Sequence, residues 1–191
     1  YTIMDWSFNE YYPSRRATAL AIAQVIREEV RDLERVGAQY IQVDEPAIST
    51  RPEEMDLAIE ALAIVTKGLK AKTITHICYG DFKTIGPKLH KLPVDQIDLE
   101  FANRNFELLD FFKGKRFTKE VGVGVVDVHN HRIESREEVV SNLKKALKVF
   151  KPEQIYVDPD CGLKTRTPKE AIEKLRMVVE GARTVREEVL N

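Results

Sequence analysis

The sequence has little cysteine and no long apolar segment, which argues against a disulfide-rich secreted protein and against a membrane-spanning one. Only Cys78 and Cys161 are cysteines among 191 residues, which excludes a disulfide-dense secreted scaffold. No apolar run reaches the roughly 18 residues that a membrane-spanning helix needs. The first residues lack the basic stretch and apolar core of a secretory leader. We therefore expect a cytoplasmic protein with no membrane association, whose two cysteines bind metal, catalyse or pack rather than form a disulfide.

An excess of charge of either sign is also lacking. The formal net charge is -1, although 32% of the residues are charged. This balance gives no electrostatic reason to expect a nucleic-acid partner. The 43% content of hydrophobic residues is ordinary for a globular protein, and the length favours one sizeable domain.

Apolar strand-like segments alternate with amphipathic helical segments along the whole chain. Ser14 is a predicted cap for the first long helix, which we expect to end before Gly37. Ser135 with Glu138, and Thr167 with Glu170, form the pattern of a capping box at two later helices. Strands are predicted at 2–8, 40–46, 72–80, 95–101, 120–129 and 154–160, and helices at 14–36, 52–69, 82–91, 105–113, 135–150 and from 167 onward.

This alternation is typical of an α/β protein with a parallel sheet, either a doubly wound sheet or a barrel. No GxGxxG follows a strand, so nothing supports a dinucleotide-binding unit. A complete TIM-type (β/α)8 barrel needs eight units in about 250 residues, whereas about six are predicted here. The chain also begins at Tyr1 inside a strand-like stretch. We therefore expect residues 1–191 to be a partial barrel without its upstream units, whose open sheet edges favour self-association.

The end of each predicted strand carries polar side chains, whereas the interiors of the strands are apolar. The carboxyl ends of barrel strands meet at one rim, where active sites are built. We therefore expect this rim to carry the chemistry. The residues are Asp5, Trp6, Asp44, Glu45, His76, Cys78, Glu100, Asp127, His129, Asp158, Asp160 and Cys161.

Four of these residues have side chains that suit a metal ion. His76 and Cys78 alternate along one predicted strand and so point to the same side. Glu100 comes from the end of the next predicted strand, and Cys161 directly follows the last one. One imidazole, two thiols and a carboxylate suit Zn²⁺ better than a hard cation. The alternative is that Cys78 and Cys161 are ordinary small buried residues, as free cysteines usually are.

Several segments of the chain resemble the C-terminal catalytic barrel of the cobalamin-independent methionine synthase family. They are "TIMDWSF", "IQVDEPAI", "THICYGDF", "IDLEFANR", "GVGVVDVHNHRIES" and "DPDCGLKTR", which span residues 2 to 166 in the family's order. The last of these is the most specific. The resemblance implies zinc-dependent transfer of a methyl group to the thiol of homocysteine, giving methionine.

The resemblance also implies roles for individual residues. His76, Cys78, Glu100 and Cys161 would be the zinc ligands. Asp44 would bind the amino group of homocysteine or methionine, and His129 would donate a proton to the leaving group. Trp6 would stack on the pterin of a methyltetrahydrofolate. From the residues alone there is an alternative for each: Asp44 as a cap of the following turn, Trp6 as a core residue, and His129 as a core histidine bonded to Asp127 or to a backbone carbonyl.

The loop after His129 departs from the family's usual pattern. It reads "DVHNHRIES" where the family has a stretch like "DIHSPRIPS". Some short archaeal relatives lack the folate-associated N-terminal barrel and take the methyl group from a corrinoid protein. The methyl donor is therefore expected to be either a methyltetrahydrofolate or a methylcorrinoid protein. Two alternatives remain: a uroporphyrinogen-decarboxylase-like zinc thiol methyltransferase, and an inactive fragment whose zinc is structural.

Overall fold

A computed structural model describes residues 1–80 and 82–190, except for the side chain of Lys83. The chain divides into two compact units, and the boundary along the sequence falls within the strand Gln96–Leu99. Unit 1 runs from Tyr1 to Ile97, and unit 2 begins at Asp98. No helix in the described ranges is both long and apolar enough to cross a membrane.

Unit 1 contains two parallel strands, the start of a third, and the helices that connect them. In this unit the strands have the order β1-β2-β3, and Ile41 of β1 is in register with Thr73 of β2. The strands are β1 (Tyr40–Gln42), β2 (Lys72–Ile77) and the beginning of β3 (Gln96–Leu99). The helices are α1 (Thr2–Asp5), α2 (Arg15–Arg35), α3 (Ala47–Thr50), α4 (Met55–Thr66) and α5 (Phe82–Leu89), with a 3-10 turn at Pro52–Glu54.

The long helix α2 forms where its end signals predict it. The Ser14 hydroxyl accepts a hydrogen bond of 3.1 Å from the backbone N–H of Ala17, which satisfies one free donor of the first turn. At the other end Gly37 has φ of +100°, a left-handed conformation that glycine adopts at little cost. The buried side of α2 then packs on α4 and β1 through Ala23, Val30, Ile41, Ala61 and Val65.

The strand predicted at 2–8 is wrong, because Thr2–Asp5 forms the short helix α1. Periodicity cannot distinguish a strand from a helix in so short an apolar run. The carboxylate of Glu45 accepts hydrogen bonds from the N-terminal ammonium of Tyr1 at 2.8 Å and from the Thr2 N–H at 2.7 Å. These contacts satisfy donors at the start of α1, where a helix has no internal partner for them. Accordingly five strands are present among the described residues, one fewer than predicted.

Unit 2 contains the end of β3, two further strands and the helices α6 to α8. Its strand order is β3-β4-β5, and β4 pairs in parallel with β5, with Val123 in register with Val157. The strands are β4 (Glu120–Gly124) and β5 (Ile155–Asp158). The helices are α6 (Leu108–Phe112), α7 (Arg136–Ala146) and α8 (Pro168–Leu190), with 3-10 turns at Ala102–Arg104 and Pro152–Gln154.

Both predicted capping boxes are confirmed in unit 2. The Glu138 carboxylate accepts a hydrogen bond from the N–H of Ser135 at 2.7 Å, and the Ser135 hydroxyl accepts one from the N–H of Glu138 at 3.2 Å. Thr167 and Glu170 make the same reciprocal pair at the start of α8. These bonds satisfy the donors at each helix start and so fix where α7 and α8 begin.

Candidate active site

His76 and Cys78, two of the four predicted metal ligands, lie in unit 1. His76 is near the end of β2, and Cys78, which is buried, follows the strand directly. A ring nitrogen of His76 and the sulfur of Cys78 lie within 4.8 Å of one another. The predicted alternation therefore does bring these two side chains together on one side of the strand.

A tight turn fixes the backbone just after Cys78. The hydroxyl of Ser49 donates a hydrogen bond of 2.7 Å to the carbonyl of Cys78. Tyr79 has φ of +55°, and a Cβ atom added at Gly80 would lie 2.3 Å from the Cβ of Ser49. Only glycine fits this close approach, so Gly80 keeps the turn closed against Ser49.

The two predicted substrate-binding residues of unit 1 are exposed. Trp6 follows α1 and is 70% exposed, so the alternative of a core tryptophan is wrong. Asp44 accepts a hydrogen bond of 2.8 Å from the side-chain amide of Gln42. Helix α3 begins after Pro46 without a side-chain cap, so Asp44 does not cap it. Both side chains are accessible to a ligand.

Glu100 and His129 approach each other in unit 2. Glu100 is fully buried directly after β3, and the side-chain amide of Asn103 donates to its Oε2 at 3.1 Å. The Nε2 atom of His129 lies 3.5 Å from Oε1 of Glu100. His129 contacts Asp127 through its backbone N–H, at 2.7 Å, and its side chain is 36% exposed. The alternative of a core histidine is therefore wrong, and the ring lies between a buried carboxylate and solvent.

Asp160 holds the turn after β3 and lies next to Cys161. Its buried carboxylate accepts hydrogen bonds from the backbone N–H groups of Phe101, Ala102 and Asn103 at 2.9, 2.9 and 2.6 Å. Burial raises the pKa of Asp160 to about 7, with a contribution from the nearby Glu100 carboxylate, although the three N–H groups oppose the shift. Asp160 therefore ties the segment that carries Cys161 to the turn that follows Glu100.

Three residues that contact Glu100 or the backbone of Asp127 are not among the predicted site residues: Asn103, Glu134 and Lys174. Asn103 contacts Glu100 from the next turn. Lys174 and Glu134 form a buried ion pair of 2.7 Å. Helical spacing provided a signal for Lys174, because it falls on the buried face of α8 with Val178, Gly181 and Val185.

Comparison with known proteins gives a consistent result. The profile of the family described as "Cobalamin-independent synthase, Catalytic domain" matches residues 1–184. A methionine synthase of Sulfurisphaera tokodaii is 49% identical over 191 residues, which is 100% of this chain and 56% of that protein. A methionine synthase of Sulfolobus acidocaldarius is 47% identical over 189 residues, 99% of this chain and 55% of that protein. The chain thus spans about half the length of these curated relatives.

Two solved structures have a similar fold. A B12-independent methionine synthase of Shewanella sp. W3-18-1, in complex with selenomethionine, is 34% identical with a TM-score of 0.87 over 96% of this chain and 59% of that one. A protein of Listeria monocytogenes described as a putative vitamin-B12 independent methionine synthase has a TM-score of 0.77 at 18% identity, covering 96% of this chain and 61% of that one. The predicted α/β fold of the TIM-barrel type is confirmed by the first likeness.

Proposed function

Because the chain belongs to the cobalamin-independent synthase family through its catalytic domain, we propose that it is the C-terminal portion of a zinc-dependent methyltransferase barrel. The reaction is transfer of a methyl group to the thiol of L-homocysteine, which gives L-methionine. The observation that carries the proposal is the pairing of His76 with Cys78 at the end of β2, within 4.8 Å, in a chain of this family.

The proposed zinc ligands are His76, Cys78, Glu100 and Cys161. Imidazole and thiolate are the ligands that Zn²⁺ prefers, and a carboxylate completes a set of four. Bound Zn²⁺ would keep the thiol of homocysteine deprotonated and therefore nucleophilic near neutral pH. Asn103 supports the set by orienting the Glu100 carboxylate, as hydrogen-bonded partners of metal ligands commonly do.

The other residues bind and protonate the reactants in this proposal. The exposed carboxylate of Asp44 binds the amino group of homocysteine, and Trp6 stacks on the pterin if the donor is a methyltetrahydrofolate. His129 supplies the proton that the departing group takes up, a role suited to an imidazole near neutral pH. Its ring lies 3.5 Å from the Glu100 carboxylate and is partly exposed to solvent, so it is accessible to a bound reactant. A methylcorrinoid protein remains the alternative donor.

The test is zinc content and zinc-edge X-ray absorption on the purified chain, with and without homocysteine. We compare the wild type with Cys161→Ser and with Lys164→Ala, a control that changes an exposed residue of the same loop. We expect about one zinc per chain in the wild type and control, loss of zinc in Cys161→Ser, and an added sulfur ligand with homocysteine.

Other outcomes separate the competing functions. A zinc with four unchanged protein ligands in the presence of homocysteine would identify a structural site. A new sulfur ligand from coenzyme M but not from homocysteine would favour the uroporphyrinogen-decarboxylase-like thiol methyltransferase. A folded wild-type chain that binds no zinc would contradict the proposed site. Cytoplasmic location and self-association through open sheet edges also remain proposals, and sedimentation of the purified chain tests the second.

A further inference from the structure

The ammonium of Lys174 is buried beneath the loop that carries His129. Lys174 lies on α8 and is fully buried, a rare position for lysine. Its Nζ donates to the carbonyl of Asp127 at 2.9 Å, to the carbonyl of Arg132 at 2.5 Å and to Oε2 of Glu134 at 2.7 Å. The three N–H donors of the ammonium are therefore all used, and the acceptors lie at both ends of the segment 127–134.

Glu134 completes this arrangement from within the same segment. Its Oε1 accepts a hydrogen bond of 3.0 Å from the N–H of Asp127, while its Oε2 accepts from Lys174. The peptide groups on both sides of Asp127 are thus held, one by Glu134 and the other by Lys174. Side-chain relative exposures of 0% for Lys174 and 5% for Glu134 show that water does not compete for these bonds.

The held segment reaches His129 through Asp127. The Asp127 carboxylate accepts hydrogen bonds from the N–H of His129 at 2.7 Å and from the side-chain amide of Asn130 at 2.8 Å. The Oδ1 atom of Asn130 in turn accepts from the N–H of Arg132 at 3.0 Å. A continuous set of bonds therefore leads from Lys174 to the backbone of His129, whose ring lies 3.5 Å from Glu100.

We propose that Lys174, with Glu134, is a positioning residue that holds the 127–134 loop and thereby places His129 beside Glu100. The catalytic meaning of this placement rests on the proposed function; the placement itself does not. A buried ion pair contributes little net stability compared with well-packed apolar residues of similar size, so stability alone does not explain why the pair is here. What apolar residues cannot supply is the set of four bonds to the loop.

The experiment compares a variant that replaces the ion pair by apolar side chains with a variant that removes only one of its charges. In the double variant Lys174→Met with Glu134→Leu, apolar side chains of similar volume replace both charges, so no buried charge is left unpaired while the loop loses its bonds. Lys174→Met alone is expected to destabilise the chain, because it leaves Glu134 buried and unpaired. Lys169→Met changes an exposed lysine of the same helix and is the control.

Two measurements on the purified chains decide the outcome, and neither depends on methyl transfer. Amide hydrogen exchange over 127–134 should become at least about tenfold faster in the double variant, with exchange in α7 unchanged. Modification of His129 by diethyl pyrocarbonate, relative to the exposed His90, should also accelerate at least about threefold. The control should match the wild type in both measurements.

The proposal would be overturned if amide exchange over 127–134 were as slow in the double variant as in the wild type. It would also be overturned if exchange became faster but His129 reacted with diethyl pyrocarbonate at the wild-type rate. If the wild-type chain transfers methyl groups, the double variant should lose at least about tenfold in kcat with KM for homocysteine unchanged. If the wild-type chain instead proves inactive, the proposed function fails, while the two loop measurements still decide the role of Lys174.

Discussion

The Oδ2 atom of Asp160 accepts a hydrogen bond of 2.6 Å from the backbone N–H of Asn103, fixing the turn after β3 to the segment that follows β5. The Oδ1 atom accepts from the two preceding N–H groups, of Phe101 and Ala102. This single carboxylate therefore replaces the hydrogen bonds that a regular strand or helix would have given to this part of the backbone.

Replacing Asp160 by alanine is expected to destabilise the chain. The substitution leaves three N–H groups without their acceptor, each at a cost on the order of 1 kcal/mol, so the free energy of unfolding should fall by about 3 kcal/mol. Chemical denaturation of the zinc-free chain measures the change. Asp110→Ala removes an exposed carboxylate paired with Lys113 and should change the free energy by less than about 0.5 kcal/mol. Equal effects of the two substitutions would contradict this role of Asp160.

Gly124 is expected not to tolerate a side chain, because the carboxylate of Asp160 occupies the space where the side chain would lie. A Cβ atom there would lie 2.2 Å from Oδ1 of Asp160, so Gly124→Ala must displace the carboxylate and should cost about 1–3 kcal/mol. Gly162→Ala is the matched control, because no atom beyond its two chain neighbours lies within 4 Å of its Cβ position. Thermal unfolding of both variants tests the expectation, which fails if Gly124→Ala unfolds at the wild-type temperature.

Asn103→Ala is expected to weaken zinc binding without unfolding unit 2. The substitution removes the amide that donates to Oε2 of Glu100, and loss of such a partner typically reduces metal affinity about 10- to 100-fold. Competition with a chromogenic chelator measures the affinity. Arg104→Ala, which truncates an exposed side chain of the same turn, should bind zinc as the wild type does. An unchanged affinity in Asn103→Ala would argue against Glu100 as a ligand.

Glu54 should make the stability of unit 1 sensitive to acid. Hydrogen bonds from Arg15, at 2.9 and 2.5 Å, lower the pKa of Glu54 from 4.5 to about 2. Because the folded pKa lies below the ordinary value, this contribution to stability is present above pH 4.5 and is lost as the pH falls from 4.5 towards 2. Carbon NMR of the carboxyl group gives the pKa directly.

Arg15→Met provides the test of that cause. The Glu54 pKa should rise towards its ordinary value in this variant and stay low in Arg16→Met, since Arg16 contacts Glu60 instead. A low pKa that persists in Arg15→Met would show that another group is responsible. Burial opposes the shift, so it cannot account for a lowered value.

Local signals in the sequence predicted most of the fold. Ser14, Ser135 and Thr167 are predicted caps and each makes the expected bond, because a cap depends only on residues within one turn. The segment 2–8 was predicted wrongly because its conformation depends on Glu45, more than forty residues away. Contacts of that kind leave no periodic pattern in a sequence.

The sequence likewise predicted only those contacts of the site that depend on residues close together in the chain. His76 and Cys78 are two positions apart on one predicted strand, so strand geometry alone implies their proximity, and the structure confirms it although β2 ends one residue before Cys78. The proximity of His129 to Glu100 depends instead on the path of the 127–134 loop, which Lys174 holds from a distant helix. The roles of Asp44, Trp6, His129 and the four zinc ligands stay predictions.

Strand β4 makes room for acidic groups by having no side chain at two positions on the same face. A Cβ atom at Gly122 would lie 2.0 Å from Oδ1 of Asp98, and one at Gly124 would meet Asp160. The carboxylate of Asp98 therefore occupies the space that a side chain at position 122 would fill, and the carboxylate of Asp160 does the same at position 124. It follows that these positions cannot diverge independently during evolution: a homologue that gains a larger residue at 124 should carry a shorter one at 160, and the same exchange should link 122 with 98.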